Sequence, residues 1–177
     1  NQHLLNEDQP ANKTPQDRAE KTRIASSKMG DKDQWNFLDN YEGLFRKSSL
    51  VLIVTLGRQY MTRFHVRDLS RSLDYDVSLI SKNLKKLESF HLVKHEEVGN
   101  LVFYQANMAS MLLKHMKICF TLLELNDLIC DIGPISSHSI LYGSCAKGED
   151  TSSSDIDLFI ETTDKESIRE VLDDYQK

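Results

Sequence analysis

The feature that most constrains this chain is a pair of short apolar runs near its carboxy end, separated by a polar loop of ten residues. The first run, Ser139-Ile140-Leu141-Tyr142, stops at Gly143-Ser144; the second is Asp155-Ile156-Asp157-Leu158-Phe159-Ile160. A Gly-Ser pair closing a strand lets the backbone approach a phosphate closely. Along the second run side chains alternate between faces, so Asp155 and Asp157 share one side while Ile156, Leu158 and Ile160 turn to the core. Two carboxylates two residues apart on a strand form the start of a divalent-cation site. The plainer reading is a pair of solvated aspartates on an edge strand.

Composition bounds the remainder. A chain of 177 residues with 40% apolar content holds one domain or two small ones. The apolar run Leu50–Val54 soon meets Gly57-Arg58, so no membrane span is expected. The amino terminus carries no basic-then-apolar signal pattern, and the expectation is an intracellular, cytoplasmic protein. Cys119, Cys130 and Cys145 share no metal-ligand spacing and are expected to be reduced. Charge is uneven: residues 41–107 hold ten Lys/Arg against seven Asp/Glu, whereas residues 108–177 hold six against thirteen. A mildly basic segment joined to an acidic one suits a nucleic-acid-facing part followed by a metal-binding or regulatory part.

Residues 1–40 are rich in Asn, Gln, Asp, Lys and Ser, include Pro10 and Pro15, and read as a disordered or extraneous leader. A helix is expected from about Tyr41 to Gly57, burying Leu44, Phe45, Leu50, Ile53, Val54 and Leu56. A second, about Phe64 to Leu73, buries Val66, Leu69 and Leu73. The third, about Val77 to Phe90 with Asp76 as its N-cap, buries Val77, Ile80, Leu84 and Leu87. A hairpin follows, Leu92–Glu96 and Leu101–Gln105, with Gly99-Asn100 supplying positive dihedrals at its turn. Residues 108–131 read as one long helix with a broad apolar stripe that includes Met108, Met111, Leu112, Ile118, Leu122 and Leu125. Gly133-Pro134 ends it. Thr163-Asp164-Lys165-Glu166 resembles a capping box opening a last helix with Ile168, Val171 and Leu172 inside.

Two family resemblances rest on these residues. The run Leu141-Tyr142-Gly143-Ser144-Cys145-Ala146-Lys147-Gly148-Glu149, followed by Ser154-Asp155-Ile156-Asp157-Leu158-Phe159, resembles the nucleotidyltransferase superfamily that includes DNA polymerase beta and the minimal nucleotidyltransferases. The resemblance implies that Gly143 and Ser144 contact nucleotide phosphates and that Asp155 and Asp157 bind Mg²⁺. Lys147 is a further nucleotide-binding candidate. The family's third carboxylate comes from a later strand that does not follow here, and Glu161 lies too far along the strand to replace it. Either the sequence is a piece of a longer chain or the domain is reduced and its site incomplete.

Three helices and a hairpin resemble the winged helix-turn-helix regulators, on Val66–Ser70, Val77–Glu88 and Phe103–Asn107. That resemblance implies double-stranded DNA as partner. Ser78, Ser81 and Lys82 would reach base edges, and Arg67, Arg71, Lys85, Lys86 and Lys94 would contact phosphate. The acidic Glu96-Glu97 in the wing opposes this.

The expectation is therefore an α+β chain in four segments: a leader at 1–40, a winged helix at 41–107, a connecting helix at 108–134, and an incomplete nucleotidyltransferase-like α/β core at 135–177. The connecting helix serves either homodimerisation, the reading placed first, or coupling of the two domains. Functionally the chain reads as a DNA-binding transcriptional regulator, the alternative being an active metal-dependent enzyme that moves a nucleoside monophosphate from an NTP to a hydroxyl.

Overall fold

In a computed structural model the structure describes Leu38 and residues 41–175. The leader expected at 1–40 lies, apart from Leu38, outside the described residues. A 3₁₀ turn, Glu42–Phe45, precedes α1 (Lys47–Arg58), β1 (Phe64–His65), α2 (Val66–Leu73), α3 (Val77–Ser89), β2 (Val93–Val98) and β3 (Leu101–Ala106). Next come α4 (Met111–Glu124), α5 (Asn126–Ile132), a 3₁₀ turn, β4 (His138–Tyr142), α6 (Gly143–Lys147), β5 (Asp157–Glu161) and α7 (Lys165–Tyr175). The strands form two antiparallel sheets, β1-β3-β2 and β4-β5. Among the described residues no helix is long and apolar enough to cross a membrane.

The first core lies among the three helices of the winged-helix segment and its sheet. In α3, Ile80, Leu84 and Leu87 recur at intervals of four and three and are fully buried, as the periodicity predicts. Val77, expected inside, is exposed, because it opens the helix ahead of the first buried turn. Asp76 holds the N-cap position but makes no side-chain capping bond. Of the hairpin pair only Gly99 takes a positive φ, +61°, and that suffices for the two-residue turn between Val98 and Leu101.

Several boundaries differ from expectation. The chain straightens at Arg46 (φ −73°, ψ 140°), so the first helix is split into a 3₁₀ turn and α1. That break leaves Phe45 66% exposed and re-phases α1 to bury Ser49, Leu52 and Ile53, while Val54 is only half-buried. Phe64 and His65 do not open α2; they pair with Tyr104 and Phe103 as a third strand on the sheet. His65 then caps α2, its Nδ1 accepting from the Arg67 N–H at 3.3 Å. The polar loop after Gly143 contains the short helix α6. In α7 it is Asp164 that caps, accepting from the Ser167 N–H at 3.1 Å and its hydroxyl at 2.7 Å, which holds the Asp164 carboxyl below the usual aspartate range.

The long helix expected at 108–131 is two helices. At Leu125 the N–H reaches the carbonyls of both Thr121 and Leu123, and the helix is interrupted there. The break turns Leu125, Leu128 and Ile132 into a second core with Ile168, packed beneath Leu141, Leu158 and Ile160 of the small sheet. The buried side of α4 carries Leu113, Lys117 and Thr121, whereas Met111 and Leu122 of the expected apolar stripe face outward.

Lys117 lies at the centre of that buried side. Its side chain is 2% exposed and its Nζ donates to the Asp150 carbonyl at 2.6 Å, with Asp150 Oδ1 at 3.4 Å and the Tyr60 ring centroid at 5.1 Å. Burial pulls the lysine pKa below its ordinary value, while the Asp150 carboxylate pulls it back up. Removing one member of a buried pair strands the other. Asp150→Ala should lower stability by about 3–5 kcal/mol in urea unfolding, and Lys117→Met/Asp150→Ala should recover part of that loss. Equal stability of wild type and Asp150→Ala would contradict this placement.

Candidate functional site

The register of the small sheet sets the site. Tyr142 pairs with Asp157, Ile140 with Phe159 and His138 with Glu161. Gly143, immediately after Tyr142, adopts φ +72°, and a Cβ there would stand 2.2 Å from Asp157 Oδ2. The aspartate carboxylate therefore rests on the bare Cα at the point where β4 turns into α6, and the positive φ there favours glycine. Ser144 follows in the first turn of α6, half-buried. Asp155 is exposed just ahead of β5, and Asp157 is half-buried on it.

The loop linking the two halves is tied down at both ends. Gly148 closes α6 at φ +64°, its N–H reaching the Ser144 and Cys145 carbonyls, and a Cβ on it would meet the Lys114 carbonyl oxygen at 2.2 Å. Glu149 pairs with Lys114 at 2.5 Å, which holds the glutamate carboxyl below its usual range. The Ser152 N–H donates to the Arg58 carbonyl at the end of α1, 3.0 Å, and Arg58 pairs with Glu124 at 2.5 Å. Thr151 and Ser154 close a turn through Thr151 N–H to Ser154 Oγ, 2.9 Å. The buried Cys145 Sγ reaches the Asp155 carbonyl at 3.5 Å, and burial raises its thiol pKa.

Gly143 and Asp157 are thus in close approach, with Ser144 next in the chain, whereas Asp155, expected on the strand beside Asp157, lies exposed ahead of β5. Lys147 lies exposed in the last turn of α6, and Glu149 is a carboxylate that feels its charge. Glu161 is engaged with His138 at 3.0 Å. Among the described residues no group of three or more His, Cys, Asp or Glu side chains is placed to hold a metal. The donor set present is two carboxylates, hard oxygens of the kind Mg²⁺ takes when phosphate and water supply the rest of its shell.

Residues 122–177 match the nucleotidyltransferase domain family. The match takes in the last turn of α4, α5 and both strands of the site. No curated protein matches the chain. Among solved structures it is similar to the AntR antimony-specific transcriptional repressor, at 16% identity over 58% of this chain and 89% of that one, with a TM-score of 0.44. It is also similar to HlyU from Vibrio cholerae, at 22% identity over 57% and 99%, TM-score 0.39. A third is the homodimeric winged helix-turn-helix DNA-binding domain of Mb0332 from Mycobacterium bovis, at 20% over 57% and 91%, TM-score 0.38.

On the winged-helix segment the predicted contact residues divide. Ser78, Lys82 and Lys85 stand at i, i+4 and i+7 of α3, all exposed and opposite its buried side. Ser81 flanks them, half-buried. Lys86 leaves this face: its Nζ lies over Gly43, where a Cβ would meet it at 2.1 Å. On α2, Arg67 is exposed, and Arg71 is held by Asp68 at 2.7 Å and by the Arg67 carbonyl at 3.3 Å. Lys94 is exposed on β2. Arg63, which sequence reasoning missed, pairs with the wing's Glu96 at 2.7 Å and offsets one of its two acidic charges. His95 pairs with Glu88, which raises the histidine pKa. A basic residue just ahead of β1 was the only available signal for Arg63.

The two glycines of the loop give a graded test. Gly143→Ala should cost about 1–2 kcal/mol for its left-handed backbone, since the Asp157 side chain can yield. Gly148→Ala meets a backbone carbonyl that cannot, and should cost more in the same denaturant titration. The reverse order would contradict the docking of α6 on α4.

Proposed function

We propose that this chain is a winged-helix DNA-binding regulator whose nucleotidyltransferase segment takes a nucleoside triphosphate together with Mg²⁺. The observation that carries the first half is the solvent pole of α3. Ile80, Leu84 and Leu87 anchor one side of that helix, leaving Ser78, Lys82 and Lys85 as an exposed polar and basic line fit for a major groove. Arg67, Arg71 and Lys94 are phosphate-contact candidates beside it. The partner is double-stranded DNA. A homodimer is part of the same reading: Met111, Leu112, Leu122 and Leu123 form an exposed apolar stripe on α4 opposite its buried side, suited to a second copy.

For the second half, Asp155 and Asp157 would hold Mg²⁺, with Gly143 and Ser144 against the phosphates. Bound there, the ion would neutralise phosphate charge and polarise the phosphoryl group. Gly143 lets the Asp157 carboxylate sit against the turn, Ser144 in the first turn of α6 would offer its N–H and hydroxyl to a phosphate, and the clamped loop ties the turn to α1 and α4. The closeness of Asp157 to Gly143 also favours a second reading, in which the same residues serve transfer of a nucleoside monophosphate to a hydroxyl acceptor.

Salt-dependent binding to duplex DNA tests the regulator reading. The plot of log affinity against log salt should flatten by about one unit in Lys82→Ala and in Lys85→Ala. Lys86→Ala should leave the slope unchanged, because that side chain is turned towards Gly43. Absence of salt-dependent duplex binding by the wild type would overturn it.

A further inference from the structure

The face of the small sheet that bears Asp157 is open and carries three large apolar or aromatic side chains between its polar ends. Side chains alternate along each strand, so Ile140 and Tyr142 on β4 share a face with Asp157 and Phe159 on β5. The other face is the one closed by the second core, through Leu141, Leu158 and Ile160. On the open face Ile140 is 53% exposed, Tyr142 52% and Phe159 54%. Neither aromatic ring is stacked on another among the described residues. Tyr142 is directly opposite Asp157, and Phe159 is its diagonal cross-strand neighbour, at a spacing of about 7–8 Å between such positions. Each ring thus keeps about half of its surface in water beside a carboxylate, apolar area that folding leaves unburied.

We propose that Tyr142 and Phe159 form a stacking platform for the base of the nucleoside triphosphate. This rests on the reading of Gly143, Ser144, Asp155 and Asp157 as its phosphate and cation site. Three features of the face commit it to that ligand. The platform is continuous with the candidate phosphate turn, because Tyr142 is the residue before Gly143. The charge beside it is negative, from Asp155 and Asp157, while Glu161 at the far end is already engaged with His138. A bare polyanionic strand is repelled there, whereas a triphosphate carrying its divalent cation is not. Finally, the platform offers rings and a methyl-bearing side chain but no fixed hydrogen-bonding edge. Stacking of that kind accepts every base, so selectivity among the four nucleotides is expected to be weak.

Calorimetric titration with Mg²⁺ and each of ATP, GTP, CTP and UTP, set against Mg²⁺ with inorganic tripolyphosphate, separates the platform from the phosphate site. The wild type should bind each NTP about tenfold or more tightly than tripolyphosphate, the scale of one base–aromatic stack. Phe159→Ala should erase most of that margin while leaving tripolyphosphate affinity unchanged, and Phe159→Tyr should keep it. Phe159 is exposed enough for the variants to fold, which circular dichroism verifies. Equal wild-type affinity for NTPs and tripolyphosphate overturns the platform alone and leaves the phosphate site standing. So does a Phe159→Ala variant that loses affinity for both ligands equally or for neither. A change in self-association by sedimentation, with NTP affinity intact, assigns the face to a second copy and likewise overturns it. Failure of every ligand to bind in a Mg²⁺-dependent way removes the phosphate-site reading and the platform together.

Discussion

A lysine in the middle of a helix's buried side, facing a carboxylate from a loop, is the constraint on which this structure turns. Lys117 and Asp150 are both nearly inaccessible, where an unpaired charge is costly. Together with Lys114–Glu149, the Arg58 carbonyl and the bare Cα of Gly148, they hold the loop between Gly143 and Asp155 against α4 and the end of α1. Among its described residues, the segment matching a nucleotidyltransferase domain contributes two strands and three short helices, with few buried apolar side chains. A two-stranded sheet is marginal without support. The support comes from winged-helix elements, through polar contacts along the loop and through the break at Leu125, which hands the chain from one core to the other.

This attachment bears on function. The residues that define the candidate phosphate and cation site are set by the same loop that is anchored to α1 and α4, and α1 packs against the helix proposed to enter DNA. The loop touches both sides, through the Arg58 carbonyl to α1 and through Lys117 to α4. Coupling between two sites requires such an element with differential contacts to each.

Much of this was legible from residue order. The alternation of Asp157 to Ile160 on β5, the Gly-Ser turn and the burial of Ile80, Leu84 and Leu87 on α3 follow from patterns that local geometry enforces, and the structure keeps them; Ile156, expected inside, is 42% exposed because β5 begins only at Asp157. What escaped has identifiable causes. A helix face is ordinarily found by its apolar residues, so the face of α4 centred on Lys117 was misjudged; its partner is 33 residues away and carries no local signal. β1 is two residues long, too short to show alternation, and Phe64 reads equally well as a helix start. The turning of Lys86 over Gly43 depends on where the chain breaks at Arg46, and the pairing of Arg63 with Glu96 depends on sheet register. For the site, the near contact of Asp157 with Gly143 is a consequence of cross-strand register that the motif spacing allows without specifying.

The most direct measurement of the central claim is amide hydrogen exchange by mass spectrometry on wild type and Asp150→Asn. If the loop is held by the winged-helix elements through Lys117, the substitution should speed exchange in the loop, in α4 and in β5 together, because they open as one unit. Faster exchange confined to the loop, with α4 and β5 unchanged, would contradict the account.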